Sequence, residues 1–133
     1  RDFDFLLLRH TIEHIPFFID VIQNYLSLLS DNGVLCIETP NQDGLFLSLT
    51  RGSLTNDRFL RHLYPPTHVN GFEPKTYKML AKKLGLNVEK IITYSNASPD
   101  WFPNYQGSNL KRFAHNFSAM VGRGENIAAF LKK

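Results

Sequence analysis

The sequence predicts an α/β fold in which a mostly parallel sheet is packed between helices. Short apolar runs at residues 3–8 and 34–39 are typical of strands that are covered on both faces. Between them, apolar residues recur at three- and four-residue spacing, which is typical of an amphipathic helix. A strand, a helix and a second strand joined by short turns indicate a βαβ unit with parallel strands.

The elements are predicted in the order strand, helix, strand, insertion, helix, strand, helix, strand. The strands are residues 3–8, 34–39, 86–94 and 126–131, and the helices are residues 16–29, 74–84 and 109–121. Pro16 suits a first helical turn, the triplet Asp31-Asn32-Gly33 predicts the end of that helix, and Gly85 suits a C-terminal cap. Residues 42–72 are interpreted as an insertion over one end of the sheet.

The last predicted helix has an apolar stripe that we expect to be buried. Ser108 precedes this helix and suits its N-terminal cap. The stripe consists of Leu110, Phe113, Ala114, Phe117 and Val121.

Composition excludes several classes of protein. The 133 residues are 43% hydrophobic and 20% charged, which is enough for one buried core. The net charge of +3 comes without a basic cluster, so no nucleic-acid partner is expected. The single cysteine, Cys36, lies in an apolar run and favours a reducing compartment, the cytoplasm. No apolar run approaches the roughly 20 residues of a membrane span.

Three segments resemble class I S-adenosylmethionine (SAM)-dependent methyltransferases of the small-molecule branch, which includes quinone and sugar methyltransferases. The first comprises residues 3–16 (FDFLLLRHTIEHIP) and 35–41 (LCIETPN); the others are residues 64–72 (YPPTHVNGF) and 124–132 (GENIAAFLK). The resemblance implies a Rossmann-like sheet with helices on both faces. It also implies that the four strands correspond to the family's fourth, fifth, sixth and seventh, in the spatial order fourth, fifth, seventh, sixth, with the last strand antiparallel.

The chain differs from that family in its beginning. Such methyltransferases carry an acidic-Gly-x-Gly-x-Gly turn after their first strand and an acidic residue at the end of their second strand, and this sequence has neither feature. Those glycines allow the backbone to approach the cofactor closely. We therefore expect residues 1–133 to be a single partial domain, the C-terminal part of a longer methyltransferase. The fragment alone would hold an incomplete SAM site and be inactive.

Arg9, His10 and Thr11 follow the first predicted strand, and ligands of open α/β sheets bind outside the carboxyl ends of strands. The resemblance places SAM beside these three residues. His10, Glu13 and His14 also share a face if the turn is helical, which permits an alternative interpretation as metal ligands. We favour a structural role, because magnesium, the metal thought to bind there in some similar enzymes, prefers oxygen ligands. No metal is therefore predicted.

Four further residues are candidates for the acceptor side of the site. Glu38 and Asn41 lie at the end of the second strand, and Tyr64 and His68 lie on the segment expected to cover it. We interpret Glu38, Asn41 and Tyr64 as substrate-binding. His68 is the candidate general base, because an imidazole can accept a proton near neutral pH.

The function that the resemblance implies is methyl transfer from SAM to oxygen, nitrogen or carbon of a small metabolite. The alternative is a non-catalytic structural or oligomerising module with the same fold. An unpaired edge on the strand at residues 3–8 would favour a homodimer through that edge.

Overall fold

The computed structural model describes residues 3–45, 48, 66–95 and 108–133. The strands are β1 (Phe3–Arg9), β2 (Leu29–Pro40), β3 (Asn87–Tyr94) and β4 (Asn126–Lys132). The helices are α1 (Phe18–Leu26), α2 (Pro74–Leu84) and α3 (Asn109–Met120), and a 3-10 turn (Ile12–His14) follows β1.

The four strands form one sheet in the order β1-β2-β4-β3. β1 and β2 are parallel, whereas β4 runs antiparallel to both β2 and β3. This confirms the predicted α/β class, the antiparallel last strand and the strand order that the resemblance implies. Consequently the carboxyl ends of β1, β2 and β3 meet at the same edge of the sheet.

One face of the sheet carries the main core. Alternate residues of β2 and β4, such as Leu35, Ile37 and Ile127, pack there with Ile22 of α1 and Tyr77 of α2. Burial of such side chains provides most of the favourable free energy of folding. The opposite face has a smaller cluster made of Cys36, Tyr94 and Ala128. In the described parts of the chain, no helix is long and apolar enough to cross a membrane.

The first helix is shorter than predicted and the second strand is longer. α1 begins at Phe18 rather than Pro16, and the Asp31-Asn32-Gly33 triplet lies within β2 instead of ending the helix. The cause is pairing with β1, whose Phe3 amide donates to the Leu28 carbonyl at 2.8 Å and recruits Leu29 into the sheet. Residues 30–33 are accommodated by a register shift.

Two of the predicted apolar faces are exposed in the described chain. β1 is covered on one face only: Leu8 is buried, but Phe3, Phe5 and Leu7, which we name the β1 row, are about half exposed. The α3 stripe is also exposed at Leu110, Phe113, Phe117 and Val121. An apolar run in a strand and helical periodicity both show that an element has apolar faces, but neither carries information about what covers those faces.

The predicted insertion, residues 42–72, starts and ends beside the carboxyl end of β2. The Gln42 amide donates to the Phe72 carbonyl at 2.8 Å, and Asn41 forms an isolated parallel bridge with Phe72. The chain therefore leaves the carboxyl end of β2 and returns to it. Residues 46, 47 and 49–65 lie outside the described residues, so an acceptor-covering role for 42–72 stays a prediction.

Candidate functional site

A buried carboxylate, Glu38, lies at the carboxyl end of β2. Arg9 pairs with Glu38 in the β1-β2 register, and its Nε lies 2.9 Å from Glu38 Oε1. The Tyr94 hydroxyl, which comes from the end of β3, donates to the same oxygen. Hydrogen bonds to an ionised group are stronger than neutral ones. The three strand ends are therefore linked through one carboxylate.

Burial dominates the ionisation of the groups around Glu38. It raises the pKa of the Tyr94 hydroxyl, and the hydrogen bond to Glu38 raises it further. The Cys36 thiol, on the same face of β2, has its pKa raised to about 11 by burial and then by Glu38. Tyr94 therefore stays a hydrogen-bond donor at neutral pH, and Cys36 stays a protonated thiol rather than a nucleophile.

His10 connects Glu38 to a second buried carboxylate, Glu13. Its Nδ1 lies 3.3 Å from Glu13 Oε1, and its Nε2 lies 3.6 Å from Glu38 Oε1. The His10 backbone has a φ of 46°, a left-handed conformation that residues other than glycine rarely adopt. Its amide also donates to the Glu38 carbonyl at 2.9 Å. Strained backbone of this kind is frequent at binding sites.

The 3-10 turn is fastened to the segment that precedes α2. The amides of Val69 and Asn70 donate to the Glu13 carbonyl at 2.9 and 3.1 Å. The Asn70 side-chain amide donates to the carbonyls of Ile12 and Ile15 at 3.0 and 2.7 Å. These bonds position His68, which precedes Val69, beside the turn.

His68 lies next to His14, with ring centroids 4.7 Å apart and planes tilted by 56°. One ligand atom each from Glu13, His14 and His68 lies within 4.8 Å of the other two. The structure therefore groups Glu13 and His14 with His68, whereas the sequence grouped them with His10. His10 contacts Glu13 but is not a member of this cluster.

The other predicted site residues have different surroundings. The Thr11 hydroxyl donates a hydrogen bond to the Arg9 carbonyl at 2.8 Å and closes the turn after β1. Asn41 is fully buried; its amide donates to the Gly124 carbonyl at 2.7 Å, and its Oδ1 accepts from the Asp43 amide at 3.0 Å. Asn41 thus holds the scaffold together. Tyr64 lies outside the described residues.

Sequence reasoning missed two residues of this region, Tyr94 and Asn70. Tyr94 had a usable signal, since it ends a strand at the sheet edge where Glu38 was expected. Asn70 had none, because both of its carbonyl partners are more than 50 residues away in sequence.

The same region of the chain carries a family match. A family model described as "Methyltransferase domain" matches residues 1–91, more than half of the sequence. The chain belongs to this methyltransferase domain family. The resemblance noted in the sequence is thereby confirmed at the level of the family, and the match includes β1, the 3-10 turn, β2 and His68.

Solved structures of methyltransferases share the fold of this methyltransferase domain. A SAM-dependent methyltransferase from Archaeoglobus fulgidus has a TM-score of 0.57 and 20% identity, covering 99% of this chain and 60% of that protein. A SAM-dependent methyltransferase from Thermotoga maritima, described as a possible histamine N-methyltransferase, has a TM-score of 0.65 and 14% identity, with coverages of 99% and 56%.

A third structure is the mycolic acid cyclopropane synthase CmaA1 complexed with SAH and CTAB. It has a TM-score of 0.56 and 17% identity, and the alignment covers 100% of this chain and 56% of that protein. The domain thus spans less than two thirds of the length of each of these three proteins. A search of curated proteins finds no match.

Proposed function

We propose that this methyltransferase domain takes part in methyl transfer from SAM to a small-molecule acceptor. The observation that carries the proposal is the convergence of Arg9, His10 and Glu38 at the carboxyl ends of two adjacent parallel strands, in a chain of this family. Ligands of open α/β sheets bind at this edge. Oxygen, nitrogen and carbon acceptors are all compatible with this arrangement.

The residues present fit one side of a SAM site. Residues 9–11 form a tight turn with left-handed backbone at His10, which brings main chain and an imidazole to the strand end. The sequence has no Gly-x-Gly-x-Gly turn to hold the rest of the cofactor. When bound, SAM supplies an electrophilic methyl group on a sulfonium. We assign Arg9, His10 and Thr11 to positioning the cofactor there.

The acceptor side is assigned to Glu38 and His68. Glu38 is held in place by Arg9 and Tyr94, so its second oxygen can orient an acceptor hydroxyl or amine. Bound SAM would supply its methyl group to the acceptor atom, and the sulfur would keep the electron pair of the carbon–sulfur bond and leave as neutral SAH. His68 accepts the acceptor's proton. Alignment of the reacting atoms would contribute to the rate enhancement. Asn41 would act through the scaffold, and Tyr64 remains a candidate wall of the acceptor pocket.

The expected context of the domain is a small acceptor, the cytoplasm, and no nucleic acid or membrane. The buried free thiol of Cys36 supports a reducing compartment. The β1 row and the β1 edge support self-association, since exposed apolar edge strands pair readily with other chains.

Calorimetry with SAM and SAH tests the proposal directly. The wild-type protein and a longer protein that restores a glycine-rich turn should be compared with their His10→Ala and His115→Ala variants. We expect binding by at least the longer protein, weakened by His10→Ala and unchanged by His115→Ala. Absence of binding in both proteins would contradict the proposal and favour the non-catalytic module.

A further inference from the structure

The 3-10 turn contains Glu13, whose buried carboxylate has one oxygen without a hydrogen-bond partner in the described part of the chain. Glu13 is 1% exposed, and its Oε1 lies 3.3 Å from His10 Nδ1. Within the described residues, Glu13 Oε2 is buried and has no hydrogen-bond partner. Leaving a buried charged oxygen unpaired is costly, so such an atom calls for an explanation.

Two imidazoles lie at the same point. Ligand atoms of Glu13, His14 and His68 are all within 4.8 Å of one another. Three ligands on one zinc-sized ion at about 2.1 Å would be separated by about 3.4 Å, so closure requires movements of roughly 1 Å. His14 Nε2 is already 3.8 Å from Glu13 Oε1.

The tautomer of His14 suits a ligand. Its Nδ1 lies 2.6 Å from the Thr67 carbonyl oxygen, which can only accept, so Nδ1 carries the hydrogen. Nε2 is then the nitrogen with the lone pair, and it is the one that faces Glu13. Metal-binding histidines typically donate their other nitrogen to a carbonyl or carboxylate in this way, which fixes the ring.

The backbone around the cluster is already ordered. Five hydrogen bonds join residues 12–15 to residues 67–70: one from His14, two from the Val69 and Asn70 amides, and two from the Asn70 side chain. His68 is thereby held opposite Glu13 and His14 before any ligand arrives. Preorganised ligands lower the entropic cost of binding.

We infer that Glu13, His14 and His68 form a binding site for a zinc-type divalent cation. Two imidazoles and one carboxylate match the three-ligand sets that hold zinc with a fourth position open to water, whereas magnesium prefers oxygen ligands. The partly exposed rings of His14 and His68 provide access from solvent. This inference replaces the purely structural role that the sequence favoured for Glu13 and His14.

The proposed ion site and the proposed methyl transfer can be tested independently of each other. With the ion bound, His68 is a ligand and is not available to accept a proton, so the general-base role belongs to the ion-free protein. Ion binding can be measured without SAM or an acceptor, and failure of either proposal leaves the other intact.

The test is titration of the metal-free protein with Zn²⁺ in competition with a chromophoric chelator, repeated with Co²⁺ to record its visible spectrum. We expect a single ion per chain, intense Co²⁺ bands of a four-coordinate site, and no displacement by excess Mg²⁺. Loss of an outer partner of a metal ligand typically weakens binding about 10- to 100-fold, so His68→Gln or His14→Gln should weaken it by at least about 100-fold.

Two control variants and a fold check make the outcome decisive. His115→Gln removes a distant histidine and should leave the affinity within about threefold of wild type. His10→Gln removes an outer partner of Glu13, so it should weaken binding by less than loss of His14 or His68 does. Circular dichroism confirms folding, and Glu13→Gln provides a third ligand variant of unchanged size. Three results would overturn the inference. They are absence of ion binding, ion binding that survives His68→Gln, and ion binding that is lost with His10→Gln but not with His68→Gln.

Discussion

Tyr94 at the end of β3 donates a hydrogen bond to Glu38 at the end of β2, across the intervening strand β4. Both side chains are buried on the face of the sheet opposite the main core. This contact joins two strands that share no backbone hydrogen bonds. It also fixes the carboxylate that we assign to the acceptor.

Replacement of Tyr94 by phenylalanine should destabilise the protein by about 1–3 kcal/mol, because a buried carboxylate loses a donor. The free energy of unfolding in urea measures this effect. Tyr25→Phe removes a hydroxyl from the exposed part of α1 and should change stability by less than about 0.5 kcal/mol. Equal effects of the two changes would show that the Tyr94–Glu38 contact contributes nothing.

Gly124 is required where the chain passes the end of β3. A Cβ at this position would lie 2.6 Å from the Tyr94 carbonyl oxygen, which belongs to the backbone and cannot move freely. Gly124→Ala should therefore cost about 1–3 kcal/mol or more.

Gly122→Ala is the matched control for Gly124→Ala. A Cβ at residue 122 would contact no atom of the described residues within 4 Å, and Gly122 has a φ of 74°. This substitution should cost only the roughly 1–2 kcal/mol of a left-handed backbone. A smaller loss for Gly124→Ala than for Gly122→Ala in thermal or urea unfolding would contradict the close approach.

Stability should fall as the pH rises above about 9. Folding raises the pKa of the Cys36 thiol from an ordinary value of 9.0 to about 11. The folded protein therefore retains a proton that the unfolded chain loses, and this contribution is complete below pH 9 and disappears as pH approaches 11. Burial raises the pKa of Tyr94 and Tyr77 in the same direction. Urea unfolding at pH 8 to 10.5 should show a smaller decline for Cys36→Ala; an identical decline would refute the assignment to Cys36.

Asn70→Ala should loosen the segment before α2. Loss of two hydrogen bonds to Ile12 and Ile15 should cost about 1–3 kcal/mol and increase amide exchange at Val69 and in the 3-10 turn. Asn24→Ala, on the exposed part of α1, is the control and should leave exchange there unchanged. Unaltered protection of Val69 in Asn70→Ala would contradict the fastening role.

A charge in the β1 row should reduce self-association. Leu7 is 51% exposed on the edge strand, and Leu7→Lys places a cation where a second chain would pair. Sedimentation should show a shift toward monomer, whereas Met79→Lys, on the exposed side of α2, should have no effect. A wild-type protein that is monomeric at all concentrations would contradict association through β1.

Local sequence signals predicted the elements that depend on local chemistry. The helix from Pro74 to Leu84 and its Gly85 cap agree with the structure, and the ends of β4 agree within one residue. The boundary between α1 and β2 was wrong because pairing of Phe3 with Leu29 outweighs the turn preference of Asp31-Asn32-Gly33. Distant partners decide such boundaries, and local propensity does not report them.

The candidate site was predictable only in part for the same reason. Strand ends indicated Arg9, His10 and Glu38 correctly as neighbours, since parallel strands end at one edge. The partner of Glu13 and His14 could not be found from spacing, because His68 reaches them through hydrogen bonds made by residues more than 50 positions away.

The central claim, that the carboxyl ends of β1 and β2 form one side of a SAM site, is tested most directly by NMR. Amide shifts should be recorded during titration with SAH, in this protein and in a longer protein that carries a glycine-rich turn. We predict that the largest shifts occur at His10, Thr11 and Glu38, and that Met79 on α2 is unaffected. Saturable SAH binding that leaves the amides of His10, Thr11 and Glu38 unchanged would contradict the claim.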